Sequence, residues 1–287
     1  MGLKADYYRF LTRQGPADFS RGIPYARCVE YPEVVRRLAL VPEDRLLDVG
    51  SRYAPLPQVL ALRYRCSVVA VDPEPDFAER RTAMARRVPE ARRLMEEGRL
   101  RFLVRDAAGL PFEDGHFAKI SAISVVEHIA DERPVIRELA RVLAPGGRLV
   151  LSVPYDPYRD EPKYYRSSVY VKGRRPAEEF YQRFYNDRNL EERLVEPSGL
   201  RPLSIDRFGE AAFNAHNRIY GNAKIPWPVR RLFFQPFAPI LAPLLIRPLA
   251  PERFRRKTKM YTADMAILVL EKPGPGNEAR PPRSAAS

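Results

Sequence analysis

Arg45-Leu46-Leu47-Asp48-Val49-Gly50-Ser51 reads as a short strand that ends on an acid and turns at a glycine. Downstream, Ser67-Val68-Val69-Ala70-Val71-Asp72 is a β-branched run of the kind that fills a buried parallel sheet, and it also ends on an acid. Pro57 to Arg65 between them predicts a helix. The same alternation continues outward in both directions. Upstream, residues 31–40 predict a helix with Pro32 in its first turn. Downstream, the pattern predicts a basic helix over roughly 76–97, a third strand over 100–106 and a fourth over 118–124. A helix over 132–143 then has Val135, Ile136, Leu139, Val142 and Leu143 at helical spacing, Pro145-Gly146-Gly147 as its stop, and a fifth strand over 148–153. Alternating strands and helices imply a parallel sheet covered on both faces, with ligands bound beyond the carboxyl ends of the strands.

The informative residues stand at those ends. Asp48-x-Gly50 makes a tight turn where a ligand can approach the backbone. A carboxylate at Asp72 can accept both hydroxyls of a ribose. Each acid alone also fits a solvated loop or a helix cap; within one βαβ unit the pair points to a nucleoside site. Five stretches follow in order: Leu46 to Ser51, Val69 to Asp72, Asp106-Ala107-Ala108-Gly109-Leu110-Pro111-Phe112, Ser124-Val125-Val126-Glu127-His128-Ile129, and Arg141 to Leu149. Over about residues 40–155 the chain resembles the class I S-adenosylmethionine-dependent methyltransferases, in particular their broad small-molecule group.

The resemblance implies S-adenosylmethionine as cofactor and assigns roles. Gly50 would lie under its methionine part, with Asp48 and Ser51 in the same turn. Asp72 would hold the ribose hydroxyls and Asp106 the adenine amino group. The backbone of Ala107 would meet the ring edge, and Ser124 to Glu127 would line the place where donor and acceptor meet. The chain departs from the family's Asp-x-Gly-x-Gly at Arg52, and Ala54 stands where a third glycine is common. An arginine at positive φ is strained, so either the loop takes another path or the strain is tolerated. Arg52 pairing with the cofactor carboxylate and a degraded cofactor site are the two readings of this change.

Methyl transfer needs a nucleophile placed against the methyl carbon with water excluded, and an oxygen acceptor can need a base. Glu127 and His128 are the candidate catalytic pair; the competing reading is that they cap and pack the following turn. No Asn/Asp-Pro-Pro-Tyr/Phe motif follows the fourth strand, which disfavours planar amide or base nitrogens as targets.

The 287 residues carry 49 Lys and Arg against 36 Asp and Glu, a net charge of +13, with 29 prolines. An anionic partner and compositional bias from GC-rich coding both account for this. Two cysteines and three scattered histidines exclude a disulfide scaffold and a cysteine zinc site, and no metal site is expected. The N-terminus lacks a signal peptide's apolar run, and no apolar stretch reaches the ~18 residues of a spanning helix. The expected location is the cytoplasm, peripheral to the inner face of the membrane.

Three segments lie outside the core motifs. Residues 1–40 form an N-terminal cover that either places Tyr25 or Arg27 at the cofactor mouth or simply packs on the domain. Residues 155–188 are dense in Tyr and Arg; stacked bases, sugars, a phosphate-bearing group and packing on the sheet rim all suit them. The third lies within the domain at 41–272. A helix over 188–196 and a sixth strand over 200–208 precede an insertion at 209–260, and the last, antiparallel strand follows over 264–272. Within the insertion, the uncharged stretch Leu232 to Ile246 is flanked by arginines and lysines over 226–259, beside Trp227. An anionic membrane surface, a homodimer interface and a lid over a greasy substrate are the readings. The tail 273–287 is expected to be disordered.

The expected fold is therefore a Rossmann-like, doubly wound seven-stranded α/β sheet with an antiparallel last strand. The expected activity is methyl transfer to a small-molecule or lipid-linked acceptor, at oxygen rather than nitrogen. The alternatives are an RNA methyltransferase, nucleic acid being the less favoured partner, and a non-catalytic module that keeps the fold.

Overall fold

The computed structural model describes residues 2–15, 22–52, 54–159, 163–165, 179–210, 214–220, 222, 224–254 and 263–274. Helices α1 (Leu3–Gln14) and α2 (Arg27–Leu38) precede β1 (Arg45–Val49). There follow α3 (Leu56–Tyr64), β2 (Ser67–Asp72), α4 (Phe77–Arg86), α5 (Pro89–Glu96), β3 (Leu100–Val104), β4 (Phe117–Ile123), α6 (Arg133–Val142) and β5 (Leu143–Pro154). The second part of the chain holds a ribbon of β6 (Lys163–Tyr165) and β7 (Glu179–Gln182), a helical run over 187–198, and β8 (Arg201–Glu210). Helix α7 (Ala238–Leu245), β9 (Ile246–Pro248) and β10 (Met265–Glu271) complete it.

The main sheet runs β3-β2-β1-β4-β5-β10-β8-β9. Neighbours from β3 to β5 are parallel, whereas β10 is antiparallel to both β5 and β8. The antiparallel last strand is as expected. The count is eight rather than seven, because the insertion adds β9 antiparallel to the end of β8, pairing Phe208 with Pro248 and Glu210 with Ile246. The proline at an outer strand costs nothing there, since no further neighbour needs its missing N–H. The chain reverses its winding between β1 and β4, and Asp48 lies in register with Ala70 on one side and Ser121 on the other. That switch point sets the ligand site.

Several boundaries differ from the pattern. The basic helix over 76–97 is two helices, because Val88 is extended ahead of Pro89 at the first position of α5. Helix α2 starts earlier than expected and carries Pro32 inside it. Pro145-Gly146-Gly147 belongs to β5 rather than to a separate stop: Gly146 bulges at φ +74°, and the register against β4 jumps from Phe117–Leu143 to Lys119–Arg148. The Tyr/Arg segment contributes β6 and β7; Arg166, Tyr170, Arg174 and Arg175 lie outside the described residues, as do Arg255, Arg256, Lys257, Lys259 and most of the tail.

Two apolar layers flank the sheet. One joins Val34, Leu38, Leu46, Leu60 and Val68 with Tyr7, Phe10 and Leu11 of α1 and with Ala238 and Ala242 of α7. The other joins Leu47, Ile120, Leu139, Leu151 and Leu268. The N-terminal segment and the insertion thus pack on the same face.

Candidate functional site

A cavity of about 730 Å³ opens at the carboxyl ends of β1 to β4. Asp48, Gly50, Ser51, Arg52, Asp72, Asp106, Ala107, Ser124 and His128 all line it. Glu127 instead lines a neighbouring chamber of about 360 Å³, which shares Arg27, Ser124, His128 and Tyr181 with the first.

Asp48 is buried at the end of β1. Its Oδ1 accepts from the Ser121 hydroxyl at 2.7 Å, while Oδ2 is buried with no hydrogen-bond partner among the described residues. Burial pushes this carboxyl up to about 6, with the Ser121 and Ser51 hydroxyls opposing. A buried carboxylate oxygen left without a donor is poised for a cation, such as a ligand's ammonium group. The next turn needs glycine: Gly50 sits at φ +72°, and a Cβ there would lie 2.5 Å from Val125 Cγ2. Gly50→Ala is expected to lower stability by about 1–3 kcal/mol from backbone strain alone, with the clash in addition, measured as a fall in melting temperature.

Arg52 does occupy the left-handed region, at φ +42°. The loop therefore keeps its path at the cost of strain, and the arginine takes the turn that a glycine would make freely. The reason is visible in its backbone, whose N–H donates to Asp72 Oδ2 at 3.0 Å. The N–H of Glu74 holds the other oxygen of Asp72 at 3.0 Å. Two backbone donors fix this carboxylate, although burial raises its pKa. The Arg52 guanidinium lies 3.5 Å from Glu74 Oε2, both side chains being partly exposed. Arg52→Gly should keep or raise the melting temperature, the opposite sign to Gly50→Ala. Asp106 is exposed, with Oδ1 accepting from the Ala108 N–H at 2.9 Å, and Ala107 is buried beside it.

At the junction of the two cavities, Ser124 is also left-handed, at φ +49°. Its hydroxyl donates to Glu30 Oε1 at 2.8 Å and accepts from Arg27 Nη1 at 2.8 Å. Ser152 donates to the same Glu30 oxygen at 2.6 Å, and Arg27 pairs with the other. Backbone strain held by such a network is typical of a site whose geometry matters. Sequence reasoning put Arg27 at the mouth only as one reading and missed Glu30 altogether. Its signal was an acid surrounded in the chain by Cys28, Val29, Tyr31 and Val34, all of which are buried.

Glu127 and His128 lie in the short helical turn Val126–His128, whose N-cap, Val125, makes no side-chain cap bond. Glu127 is buried, its Oε2 has no hydrogen-bond partner among the described residues, and burial pushes it up to about 8. It is mostly protonated at neutral pH. Because its folded-state value lies above the unfolded one, the folded state holds the extra proton, and stability falls as pH rises from about 4.5 to 8. Glu127→Gln should therefore be more stable than the parent at pH 8, with the difference shrinking toward pH 5 by about 1.4 kcal/mol per unit; denaturant titrations across that range read it. His128 Nδ1 lies 2.9 Å from the Tyr181 carbonyl oxygen. A carbonyl only accepts, so Nδ1 carries the hydrogen and Nε2 holds the lone pair of the neutral ring. Burial lowers the pKa of this imidazole.

The far wall of the smaller chamber is aromatic. Tyr25 stacks on Tyr220 at 4.2 Å and donates to Glu210 Oε1 at 2.6 Å. Phe184, Tyr181, Pro154 and Met265 supply further apolar surface.

Residues 47–151 match a family model described as a methyltransferase domain. The demethylmenaquinone methyltransferase of Thermus thermophilus is 47% identical over 76 residues, which is 26% of this chain and 33% of that protein. The chloroplastic tocopherol O-methyltransferase of Arabidopsis thaliana is 31% identical over 107 residues, or 37% and 29%. The chain thus spans less than half the length of these curated relatives. Among solved structures, the geranyl diphosphate C-methyltransferase from Streptomyces coelicolor superposes with a TM-score of 0.56 at 13% identity, covering 86% of this chain and 77% of that one. Residues 47–151 thus match a methyltransferase domain in sequence, and the sheet order with its strand-end cavity has the fold of the superposed methyltransferase.

Proposed function

We propose that this chain is an S-adenosylmethionine-dependent methyltransferase acting on a hydroxyl oxygen of a small, lipid-linked acceptor. The observation that carries the reading is the strand-end cavity, where the partnerless Asp48 Oδ2 and the clamped Asp72 stand ready for an ammonium and a ribose. Asp48, Gly50, Ser51, Arg52, Asp72, Asp106, Ala107 and Ser124 hold the cofactor in this proposal, the Arg52 guanidinium meeting its carboxylate. Bound S-adenosylmethionine supplies an electrophilic methyl group on a positively charged sulfur.

The chain's own residues place the acceptor and move its proton. The smaller chamber receives the acceptor, with Tyr25, Tyr181, Phe184 and Tyr220 enclosing an apolar or ring-bearing body and keeping water out. His128 Nε2 takes the hydroxyl proton as the oxygen becomes a nucleophile. The Tyr181 carbonyl holds the imidazole in the required tautomer. Protonated Glu127 donates a hydrogen bond into the chamber. Arg27, held by Glu30 and Ser124, keeps a positive charge where negative charge develops on oxygen.

The curated relatives named above include a demethylmenaquinone methyltransferase and a tocopherol O-methyltransferase, which supports a small-molecule acceptor. An anionic membrane surface at 226–259 belongs to the same proposal. Calorimetric titration with S-adenosylmethionine is the first test: saturable binding at one site supports the reading, and no binding at millimolar cofactor leaves only a non-catalytic module with this fold.

A further inference from the structure

We propose that the insertion is an interfacial docking element: its outer stripe seats in an anionic bilayer while its inner stripe walls the acceptor chamber, so the acceptor is drawn directly from the membrane. The second half of this rests on the methyltransferase reading; the docking itself does not.

From Trp227 to Leu245 the backbone is helical throughout, passing through Trp227–Val229, Arg230–Phe234 and Gln235–Phe237 into α7. Phe233, Phe237, Ile240 and Leu244 recur at spacings of one helical face, and they are 64%, 56%, 64% and 55% exposed. Leu232 and Trp227 extend the patch, at 65% and 58%. Ala238 and Ala242, on the opposite face, are buried against the first apolar layer. A contiguous stripe of large apolar side chains in water marks a surface that meets something apolar.

The rim says what that is. Lys224, Arg230, Arg231, Arg247 and Arg253 flank the stripe in the chain, against the single acid Glu252 between residues 214 and 254. The Arg231 guanidinium lies 4.7 Å from the centre of the Trp227 ring, a pairing suited to the headgroup boundary. An apolar wedge in a cationic rim fits an anionic lipid surface. A second copy of the chain would bury the stripe but bring like charges together. No helix among the described residues is long and apolar enough to cross a membrane, so the element lies on the surface and does not span.

The reverse side of the same layer faces the chamber. Gln235, between Phe233 and Phe237 in the chain, lines it and donates to the Ile23 carbonyl. Tyr220 lines it too, stacked on Tyr25 and donating to the Phe234 carbonyl at 3.1 Å. Chamber and bilayer are thus about one helix diameter apart, roughly 10 Å. A molecule with a polar head and an apolar tail can place its head in the chamber while the tail stays in lipid.

Trp227 is the sole tryptophan, so its emission reports docking directly. Vesicles of phosphatidylcholine with phosphatidylglycerol should shift that emission to the blue and sediment the protein. Vesicles of phosphatidylcholine alone, or 1 M salt, should weaken both effects at least tenfold. The double variant Phe233→Asp, Phe237→Asp should lose vesicle binding while keeping its melting temperature and its affinity for S-adenosylmethionine. No shift and no sedimentation with anionic vesicles overturns docking, as does a blue shift that follows protein concentration without lipid, the sign of a dimer. For the loading step, methyl label is followed from S-adenosylmethionine into a lipid extract offered in anionic vesicles or in detergent micelles. The double variant should lose transfer from vesicles and keep it from micelles; equal transfer from both overturns membrane loading. A wild-type protein that binds vesicles but transfers no label from either overturns the function and the loading that rests on it, and leaves docking standing.

Discussion

Asp48→Asn is expected to weaken binding of S-adenosylmethionine about 30- to 1000-fold, corresponding to about 2–4 kcal/mol for one partner of a buried charge pair. Asp48 lines the cavity, and its buried Oδ2 has no hydrogen-bond partner among the described residues. Asparagine can keep the Ser121 contact and the shape but cannot neutralise an ammonium. The fold should not suffer. The carboxyl titrates near 6 in the folded chain, above its unfolded value, so ionising it between about pH 4 and 6 costs stability. The neutral variant should therefore melt no lower than the parent at pH 7, which separates a binding defect from a folding one. The same shift predicts a pH signature. Cofactor affinity of the parent should fall about tenfold per unit below pH 6, as the proton competes with the ammonium, whereas the variant's weak binding should be flat there. Calorimetry between pH 5 and 8 reads both, and equal affinity of parent and variant at pH 7 would remove Asp48 from the site.

His128→Asn should lower kcat about 10²- to 10⁴-fold, the usual contribution of a positioned base, while the affinity for S-adenosylmethionine changes little. Nδ1 of the parent is held by the Tyr181 carbonyl and burial lowers the ring's pKa. The imidazole is thus neutral at pH 7, and in the proposed role of base it should make kcat rise with pH through a midpoint below the ordinary value of about 6.5, then level off. Loss of that limb in the variant identifies the group. Full turnover by the variant would assign His128 to packing against Tyr181, whose ring it meets edge-on at 5.6 Å.

How much of this was legible in the chain follows from the range of the interactions. Asp48, Gly50 and Asp72 could be read because a buried parallel strand announces itself by its β-branched run, and ligands gather where such strands end. The break at Val88-Pro89 was also written in the chain, since the residue before proline is pushed out of helix. Strand β9 was not readable: it is three residues long, ends in proline, and exists only because β8 offers an edge. Nor was the Arg27–Glu30–Ser124–Ser152 network. Its bonds join positions 97 and 122 residues apart, and local pattern carries no trace of such partners. The insertion lies between. Its apolar run and basic flanks were plain, but only packing showed which face turns outward and which walls the chamber.

The central claim is tested most directly by incubating the protein with methyl-tritiated S-adenosylmethionine and a lipid extract presented in anionic vesicles, then separating solvent-extractable lipid from RNA and protein. If the proposed acceptor is right, label enters a lipid-soluble, base-stable product with the parent protein and falls at least 30-fold with Asp48→Asn. Label in RNA, or no label in any fraction despite measurable cofactor binding, would contradict it.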